Sequence, residues 1–290
     1  NQAGSGALAG AVPVLKETGK LILAYPRRIK IPLGLVIANA AVQAGDVDLA
    51  TNYLQMISEE DPTPKEVDQL ALVEGKVQQL VGEFDAASEA WKSILEGEHR
   101  PSIADSILRR VELELTSKKM KIKDAIKELE EARFSWRGDD LELKLLWKLG
   151  RLYFQDEDYR NGLRTLRSAG SYFGKHPDAP KVTEDMSEAF VTLYLKDIAD
   201  GLPPVQAIGL FEEFKELTPA GEQGDVMIQK LADRLAQVDL LERAAKLLMQ
   251  QVDFRLEGEE KARVGARLAT IRLLNKQPTM AADAITRSDE

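Results

Sequence analysis

Few side chains in this sequence are suited to chemistry. The only histidines, His99 and His176, lie beside prolines in "GEHRP" and "GKHPDAP", and the chain contains no cysteine. Because such prolines are typical of loops, we interpret both histidines as solvated loop residues and not as a metal-binding or proton-transfer pair. The lack of cysteine excludes disulfides, thiolate catalysis and thiolate metal ligands. No catalytic residue and no metal site are predicted.

Motifs for cofactors and hydrolytic chemistry are also missing from the sequence. It has no P-loop, no G-x-G-x-x-G, no H-E-x-x-H, no G-x-S-x-G and no calcium-binding loop. Arg137, Gly138 and Asp139 spell an adhesion-like tripeptide, which we interpret as a turn or helix cap. With 48 acidic residues, a pair of catalytic carboxylates could exist, so a hydrolase built on helix pairs stays open as an alternative. The sequence predicts a protein that is not an enzyme and uses no cofactor.

The charge of the chain argues against general nucleic-acid binding. Its net charge is −9, whereas binding to a phosphate backbone needs a basic surface. Residues 1–33 form an N-terminal basic segment of net charge +4, which leaves −13 on the remaining residues. We interpret this segment as a solvated basic region; contact with an acidic partner or a membrane surface is the alternative. No apolar run is long enough to predict a transmembrane helix.

Helices must position any site, because apolar residues recur at helical spacing. In "LLWKLGRLYFQDEDYRNGLRTLRSA", residues 145–169, one face is formed by Leu146, Leu149, Gly150 and Tyr153. A second pattern of the same kind follows a short acidic turn. The stretch is therefore predicted to be a helical hairpin.

Small residues recur along the chain at a nearly constant interval. Each opens the second helix of a candidate hairpin, and they stand at positions 50, 87, 125, 162, 207, 244 and 281. The steps between them are 37, 38, 37, 45, 37 and 37 residues. Because an unrelated helix bundle does not keep such a register, the sequence predicts about seven hairpins with a period near 37 residues.

This pattern resembles the tetratricopeptide repeat (TPR), whose unit is two antiparallel helices with small residues at their crossing. The best match is 145–169, where Leu149 and Gly150 stand at the family's spacing, and 75–95 matches next best. Leu146 replaces the family's tryptophan, and the period exceeds the usual value of about 34 residues. The resemblance implies an all-α fold, a right-handed α-solenoid of antiparallel helical hairpins.

Domain boundaries follow from the register. Residues 1–33 are set apart as the basic segment and as a candidate last helix of a preceding repeat, so the chain is expected to be a fragment of a longer protein. Residues 34–290 are predicted to form the TPR-like solenoid. The one long step is assigned to an inserted loop near 171–185, because Pro177 and Pro180 are expected to break helices there.

The resemblance implies that the first helix of each unit lines a concave groove. In the best-matched unit, Arg151 lies between Trp147 and Phe154, and aromatic and arginine side chains often dominate binding energy at interfaces. Alternatively, both aromatic residues belong to the core. The predicted partner-binding residues of this face are Trp147, Arg151, Phe154, Lys144, Lys148, Gln155, Asn39, Gln43, Gln69, Lys76, Arg110 and Glu114. This set is more basic than acidic, which favours a polar or acidic polypeptide over a nucleic acid.

The predicted function is a non-catalytic scaffold that binds a polypeptide partner in the concave groove. The run "DAIKELEEARFSWRGDDLELKLLWKLGRLYFQDEDYRNGLRTLRSA" also resembles the repeat region of long bacterial cell-envelope TPR proteins. That resemblance implies a periplasmic or envelope location and a role in envelope assembly or maintenance, with the cytoplasm as the alternative. A second hypothesis is a structural spacer that self-associates through uncapped repeat ends. The hydrolase is a third.

Overall fold

The computed structural model of the chain describes Glu17, residues 21–22 and residues 24–289. This part contains fourteen α-helices, two short 3₁₀ helices (Ile198–Gly201 and Lys215–Leu217) and no strand. None of these helices is both long enough and apolar enough to span a bilayer. In chain order the α-helices are α1 (Arg27–Gln43), α2 (Val47–Ser58), α3 (Pro64–Leu80), α4 (Phe84–Lys92), α5 (Arg100–Thr116), α6 (Ile122–Ser135), α7 (Asp140–Gln155), α8 (Tyr159–Tyr172), α9 (Ala179–Leu195), α10 (Pro204–Glu213), α11 (Glu222–Gln237), α12 (Leu241–Phe254), α13 (Gly258–Leu274) and α14 (Pro278–Ser288).

The helices are arranged as hairpins in two compact units, Asn1–Asp156 and Glu157–Glu290. In the first unit α1/α2, α3/α4 and α5/α6 are hairpins, and α7 packs on α6. In the second unit α8 packs on α9, α11/α12 and α13/α14 are hairpins, and α10 meets α9 through aromatic side chains. Short connections between consecutive helices require such antiparallel neighbours. The predicted all-α fold of helical hairpins is confirmed.

The register of small residues is the regular feature that organises both units. Each of the seven is the fourth residue of a second helix, and each is buried: 50, 87, 125, 162, 207, 244 and 281. Small side chains at such positions let packed helices approach closely, while large neighbours fill the grooves around them. The interval between small residues in the sequence therefore reflects the repeated packing of one helix on the next.

In the first unit, Trp91 fills the space between α3 and α4. Its side chain is fully buried, and its indole Nε1 donates a hydrogen bond to the Leu72 carbonyl oxygen at 3.2 Å. Gly75 faces the same ring, because a Cβ atom at this glycine would lie 2.3 Å from Trp91 Nε1. The large residue of one helix therefore requires the small residue of the other.

In the second unit, three aromatic side chains join α9 to α10. The ring of Phe190 stacks on Phe211 with centroids 5.9 Å apart, and Tyr194 meets Phe211 edge-on at 5.5 Å. The Tyr194 hydroxyl donates to the carbonyl oxygen of Ala207 at 2.7 Å, so the polar end of this buried ring is satisfied.

The long repeat contains two sizeable connections, residues 173–178 before α9 and residues 196–203 after it. The connection after α9 is the longer of the two and contains the 3₁₀ helix Ile198–Gly201. Pro180 is the second residue of α9, a position where the missing N–H costs no intrahelical hydrogen bond. It therefore lies at the start of a helix, so the non-helical part of the expected loop near 171–185 is residues 173–178, and a longer connection follows at 196–203.

The boundary expected between residues 33 and 34 falls inside α1. This helix begins at Arg27, whose guanidinium is fixed to the connection between α2 and α3. It donates to the carbonyl oxygens of Glu60 and Asp61, each at 2.8 Å, and to the Glu66 carboxylate at 2.7 Å. The end of the basic segment is therefore part of the first hairpin. Its assignment to a preceding repeat lies largely outside the described residues.

Arg234 of α11 holds the long connection between α9 and α10. Its guanidinium donates to the carbonyl oxygens of Ala199 and Leu202, and to that of Asp200 at 2.9 Å. A single charged donor thus satisfies three carbonyl groups of a segment that has few helical hydrogen bonds of its own.

Replacing Arg234 with alanine is expected to lower the free energy of unfolding by about 2 kcal/mol, because partly buried carbonyls lose a charged donor. Urea denaturation measures the loss, and amide exchange should accelerate across residues 196–203. Arg267→Ala is the matched control on the next helix pair: its ion pair with Asp233 is about half exposed on both sides, so we expect a loss below about 1 kcal/mol. Equal losses in the two variants would contradict this role for Arg234.

Candidate functional site

A groove lies across the first helices of the first unit. Its volume is about 790 Å³, and its walls come from α1, α3, α5 and α7 together with His99 and Asp139, the residues before α5 and α7. The polar and charged residues that line it are Asn39, Gln69, His99, Ser102, Asp105, Arg109, Glu112, Asp139, Asp140, Lys144, Lys148, Arg151 and Gln155, with Trp147 as the one aromatic residue. This volume falls within the range of about 300–1,000 Å³ that is typical of ligand sites.

Trp147 and Arg151 form the most prominent feature of the groove. They stand one helical turn apart on α7, and the Arg151 guanidinium carbon lies 5.0 Å from the centroid of the Trp147 ring. Trp147 is half-buried and Arg151 is exposed. A stacked pair of this kind is worth about 0.5–1 kcal/mol at an exposed site, and it fixes both side chains in advance of binding.

Buried polar contacts connect the helices beneath the groove. Lys76 Nζ of α3 lies 3.0 Å from Asn39 Oδ1 on α1 and 3.3 Å from the Asp105 carboxylate on α5. Asp105 also pairs with Arg109 at 3.0 Å. Burial is the largest cause that lowers the pKa of Lys76; Arg109 and Lys144 act in the same direction, and Asp105 opposes them. The network holds three first helices together from below.

The charges that line the groove are balanced. Four cationic residues (Arg109, Lys144, Lys148 and Arg151) face four acidic ones (Asp105, Glu112, Asp139 and Asp140). Lys148 Nζ lies 3.8 Å from the Glu112 carboxylate, which connects α7 to α5 across the groove. The sequence-based expectation of a basic face is therefore wrong, because the acidic residues of α5 and of the start of α7 were not included in it.

Seven of the twelve predicted partner-binding residues line the groove, and one lines a neighbouring cavity. The seven are Asn39, Gln69, Lys144, Trp147, Lys148, Arg151 and Gln155. Gln43 lines a cavity of about 520 Å³ between α1 and α3. Lys76 lies below the groove in the polar network. Phe154 is half-buried and does not line the groove.

Arg110 and Glu114 contribute to helix packing and not to the groove. Arg110 is buried and forms ion pairs with Glu114, at 3.5 Å, and with Glu128 of α6. Glu114 also accepts a hydrogen bond from the Ser88 hydroxyl at 2.6 Å. A shift of one residue turns a side chain by about 100° around a helix, so a small register error on α5 moves a residue from one face to another.

The residues of α5 that do line the groove stand at regular intervals. Ser102, Asp105, Arg109 and Glu112 are spaced by three, four and three residues, which places them on one stripe of the helix. Their spacing is visible in the sequence. However, α5 lacks the Leu-Gly and tyrosine signature that fixed the register of α7, so the stripe was assigned to the wrong side.

His99 caps α5 and does not lie free in a loop as expected. Its ring Nδ1 accepts a hydrogen bond from the Ser102 backbone N–H at 3.3 Å and lies 2.7 Å from the Ser102 hydroxyl. Its other ring nitrogen is 3.3 Å from the side-chain amide of Gln69. The buried Asp68 carboxylate accepts from the backbone N–H groups of Glu98 and His99 at 2.7 and 2.8 Å. The loop that enters α5 is thereby fixed at the rim of the groove.

The His99 pKa is lowered below its ordinary value of 6.5, mainly by burial, with a further contribution from Lys65 and opposition from Asp68. The unfolded chain therefore binds this proton more readily, so stability should fall as the pH drops from about 7.5 to about 5.5. His99→Asn keeps a capping acceptor but cannot titrate. Urea unfolding at the two pH values should show a smaller loss in the variant than in the wild type. An equal loss would contradict the role of His99.

Asp139 is the helix cap that the Arg-Gly-Asp stretch predicted. Its carboxylate accepts from the backbone N–H groups of Leu141, at 3.0 Å, and Glu142, at 3.4 Å, and from the Trp136 indole at 2.8 Å. Gly138 before it has a φ of +106°, a conformation that favours glycine. The tripeptide is thus explained by the local structure at the start of α7.

The chain is similar to solved TPR proteins. One is a TPR protein from Parabacteroides merdae, with 14% identity, a TM-score of 0.42 and coverage of 89% of this chain and 92% of that one. Another is the C-terminal part of a TPR-containing protein from Cytophaga hutchinsonii, with 12% identity, a TM-score of 0.45 and coverage of 91% and 96%. A third is a signal-transduction ATPase with a TPR sensor from Pyrococcus horikoshii, with 14% identity, a TM-score of 0.49 and coverage of 96% and 42%. No protein-family model and no curated protein matches the sequence.

These similarities concern the fold alone and carry no information about a ligand. The class is defined by the chain's own features: helical hairpins, one buried small residue at the fourth position of every second helix, and a groove on the first helices. The chain has the fold of a TPR-like helical-repeat protein.

Proposed function

We propose that the chain is an interaction scaffold whose groove on α1, α3, α5 and α7 binds an extended polypeptide segment. The observation that carries the proposal is the groove itself, with the stacked Trp147 and Arg151 side chains at one wall. Such pairs are the common anchors of protein interfaces, because a large flat surface is buried with little loss of side-chain entropy.

The lining also indicates what kind of segment fits. The exposed amide of Gln155 can donate to and accept from a peptide backbone, whereas Asn39 already bonds Lys76 and Gln69 already contacts His99. The groove has equal numbers of acidic and basic residues, which favours a segment of mixed charge. A strongly acidic segment would be attracted by the basic residues but repelled by the acidic ones. An apolar or aromatic side chain of the ligand would pack on Trp147.

A quantitative pull-down tests the proposal. The baits are the wild type, Trp147→Ala/Arg151→Ala, and the matched control Phe134→Ala/Arg133→Ala. The control removes another stacked pair of the first unit, with the Arg133 guanidinium carbon 5.3 Å from an exposed Phe134 ring outside the groove. Partners should be lost with the groove variant and kept with the control. Equal recovery by all three baits would exclude this groove assignment.

An envelope location is a further part of the proposal and rests on the sequence resemblance alone. A scaffold of this kind would hold a polypeptide during envelope assembly or maintenance. Fractionation of bacterial cells that produce the full-length protein tests it by immunoblotting. Recovery in the cytoplasmic fraction only would exclude this location.

Self-association through the repeat ends is the alternative that one observation favours. The last hairpin exposes Leu273, Leu274, Met280 and Ile285, which are apolar side chains on α13 and α14. Light scattering over a range of concentrations tests this alternative. A strict monomer at high concentration would exclude it, while a concentration-dependent mass lost in Leu274→Ser/Ile285→Ser would support it.

A further inference from the structure

A second cavity, of about 390 Å³, lies in the second unit between the second helices α10 and α12. Its apolar part is formed by Phe211, Ile228 and Leu247, which are all buried. Four cationic residues line it, namely Lys215, Arg243, Lys246 and Arg255, and Glu212 is its one acidic lining residue. This excess of positive charge stands in a chain whose net charge is −9.

Three of these cations lack a carboxylate partner. Within the described residues, no ion pair joins Lys215, Arg243 or Lys246 to an acidic side chain, and all three are exposed. Acidic side chains do lie nearby in the chain, but they bind elsewhere: Glu213 pairs with Arg160 at 3.4 Å and also with Arg164. The positive charge of the cavity is therefore not neutralised by its surroundings.

Arg255, the fourth cation, gives the cavity a fixed wall. Its guanidinium binds the buried Asp225 carboxylate at 2.7 Å and the Pro219 carbonyl oxygen at 2.8 Å. Gln251 donates to the same carboxylate at 3.2 Å. Next to this wall, the Thr218 hydroxyl oxygen is enclosed and has no hydrogen-bond partner among the described residues. A buried hydroxyl group without a partner is costly, so a water molecule or a ligand that bonds to it here would be stabilising.

The cationic side chains of α12 lie on one stripe. Arg243, Lys246, Leu247 and Gln250 follow the spacing i, i+3, i+4, i+7, so they face the cavity together. This stripe places two positive charges and one amide beside an apolar residue. The pattern matches a ligand in which acidic groups flank an apolar one.

We propose that this cavity binds an acidic polypeptide segment that carries an apolar side chain between acidic residues. The apolar side chain packs on Phe211, Ile228 and Leu247, and the flanking carboxylates bind Lys215, Arg243 and Lys246. A bare phosphate ion would satisfy the cations but leave the apolar wall uncovered. A flat anionic membrane surface would reach the exposed cations and not the recess. The site lies in the other unit from the groove on α1, α3, α5 and α7, so it does not depend on the function proposed for that groove.

Fluorescence anisotropy with defined labelled peptides tests the proposal on the whole chain. The probe is Glu-Glu-Leu-Glu-Glu, and the comparison peptides are Gln-Gln-Leu-Gln-Gln and Glu-Glu-Ser-Glu-Glu. We expect saturable binding of the probe that weakens with salt, and binding at least about tenfold weaker for the glutamine peptide and about threefold weaker for the serine peptide. Vesicles of anionic lipid serve as the membrane arm, and inorganic phosphate as the free-anion arm.

Two charge-matched variants separate the cavity from the general charge of the chain. Arg243→Gln/Lys246→Gln removes two positive charges from the cavity and should weaken probe binding at least about tenfold. Lys175→Gln/Lys196→Gln removes two exposed positive charges of the same unit outside the cavity and should change binding less than about twofold. Circular dichroism shows that the variants are folded. Trp147→Ala/Arg151→Ala should leave probe binding unchanged, so failure of this site and failure of the groove are distinguishable.

Three results would overturn the proposal. The first is equal weakening by the two charge-matched variants, which would mean that binding reflects overall charge. The second is equal affinity for the leucine and serine peptides, which would leave only an anion site that phosphate can occupy. The third is binding to anionic vesicles that requires Arg243 and Lys246, with no binding of the peptide probe.

Discussion

Trp91→Ala is expected to lower the free energy of unfolding of the first unit by about 3–5 kcal/mol. The ring is fully buried with Leu72, Ile94 and Leu113 in one apolar cluster, so its loss leaves a cavity that helices fixed on both sides cannot close. It also removes the donor to the Leu72 carbonyl. Urea unfolding followed by tryptophan fluorescence measures the loss, since the other two tryptophans, Trp136 and Trp147, also lie in this unit.

A pair of glycine substitutions controls for this result. Gly75→Ala places a Cβ atom 2.3 Å from Trp91 Nε1, so overpacking of about 1–3 kcal/mol outweighs the helix propensity that alanine gains, about 1 kcal/mol. Gly170→Ala, on α8, meets nothing closer than the Thr183 hydroxyl oxygen at 3.6 Å and should be neutral or stabilising. Stabilisation by both substitutions, or a loss below about 1 kcal/mol in Trp91→Ala, would show that this packing does not hold the repeat together.

Trp147→Ala/Arg151→Ala is expected to weaken a polypeptide ligand of the groove at least thirtyfold, which corresponds to about 2 kcal/mol. The two side chains are stacked, so removing both deletes a preorganised anchor and not a single contact. Because Trp147 is half-buried and Arg151 exposed, the fold should lose less stability than in Trp91→Ala. Titration of a peptide obtained with the wild-type bait, followed by calorimetry, measures the effect.

The matched pair on α6 decides whether the loss is specific. Phe134→Ala/Arg133→Ala removes a comparable aromatic ring and guanidinium outside the groove and should change affinity less than about threefold. Equal affinity of the wild type and the groove variant would contradict the anchor, provided that both unfold at similar urea concentrations. If both variants weakened ligand binding equally, the loss would not be specific to the groove.

The repeat could be predicted from the sequence because packing fixes its period. The spacing of 37 residues reflects hairpins that must bring a small residue to the same crossing each time, and the structure places all seven at the fourth residue of a second helix. For the same reason, the sequence correctly predicts several residues of α7 that line the groove. Lys144, Trp147, Lys148, Arg151 and Gln155 all line the groove, since Leu149 and Gly150 fix the register of α7.

Features without such a signature could not be predicted. Pro180 is expected from the sequence to break a helix, although a proline in the first turn is compatible with one. Arg110 was placed on the groove, although it is buried against Glu128. The balance of charge in the groove depends on which face of α5 lines it. Amino-acid composition does not reveal which face that is. The excess of positive charge lies instead in the cavity between α10 and α12.

Site-specific photo-crosslinking from the groove tests the central claim most directly. A photoreactive amino acid replaces Glu112, which is exposed on α5 and lines the groove. The same group replaces Tyr172, an exposed aromatic residue of the second unit, as the control position. A polypeptide should crosslink at position 112, not at position 172, and the adduct should disappear in Trp147→Ala/Arg151→Ala. Adducts of equal yield at both positions, or an adduct at 112 that persists in the groove variant, would contradict a groove that binds a polypeptide.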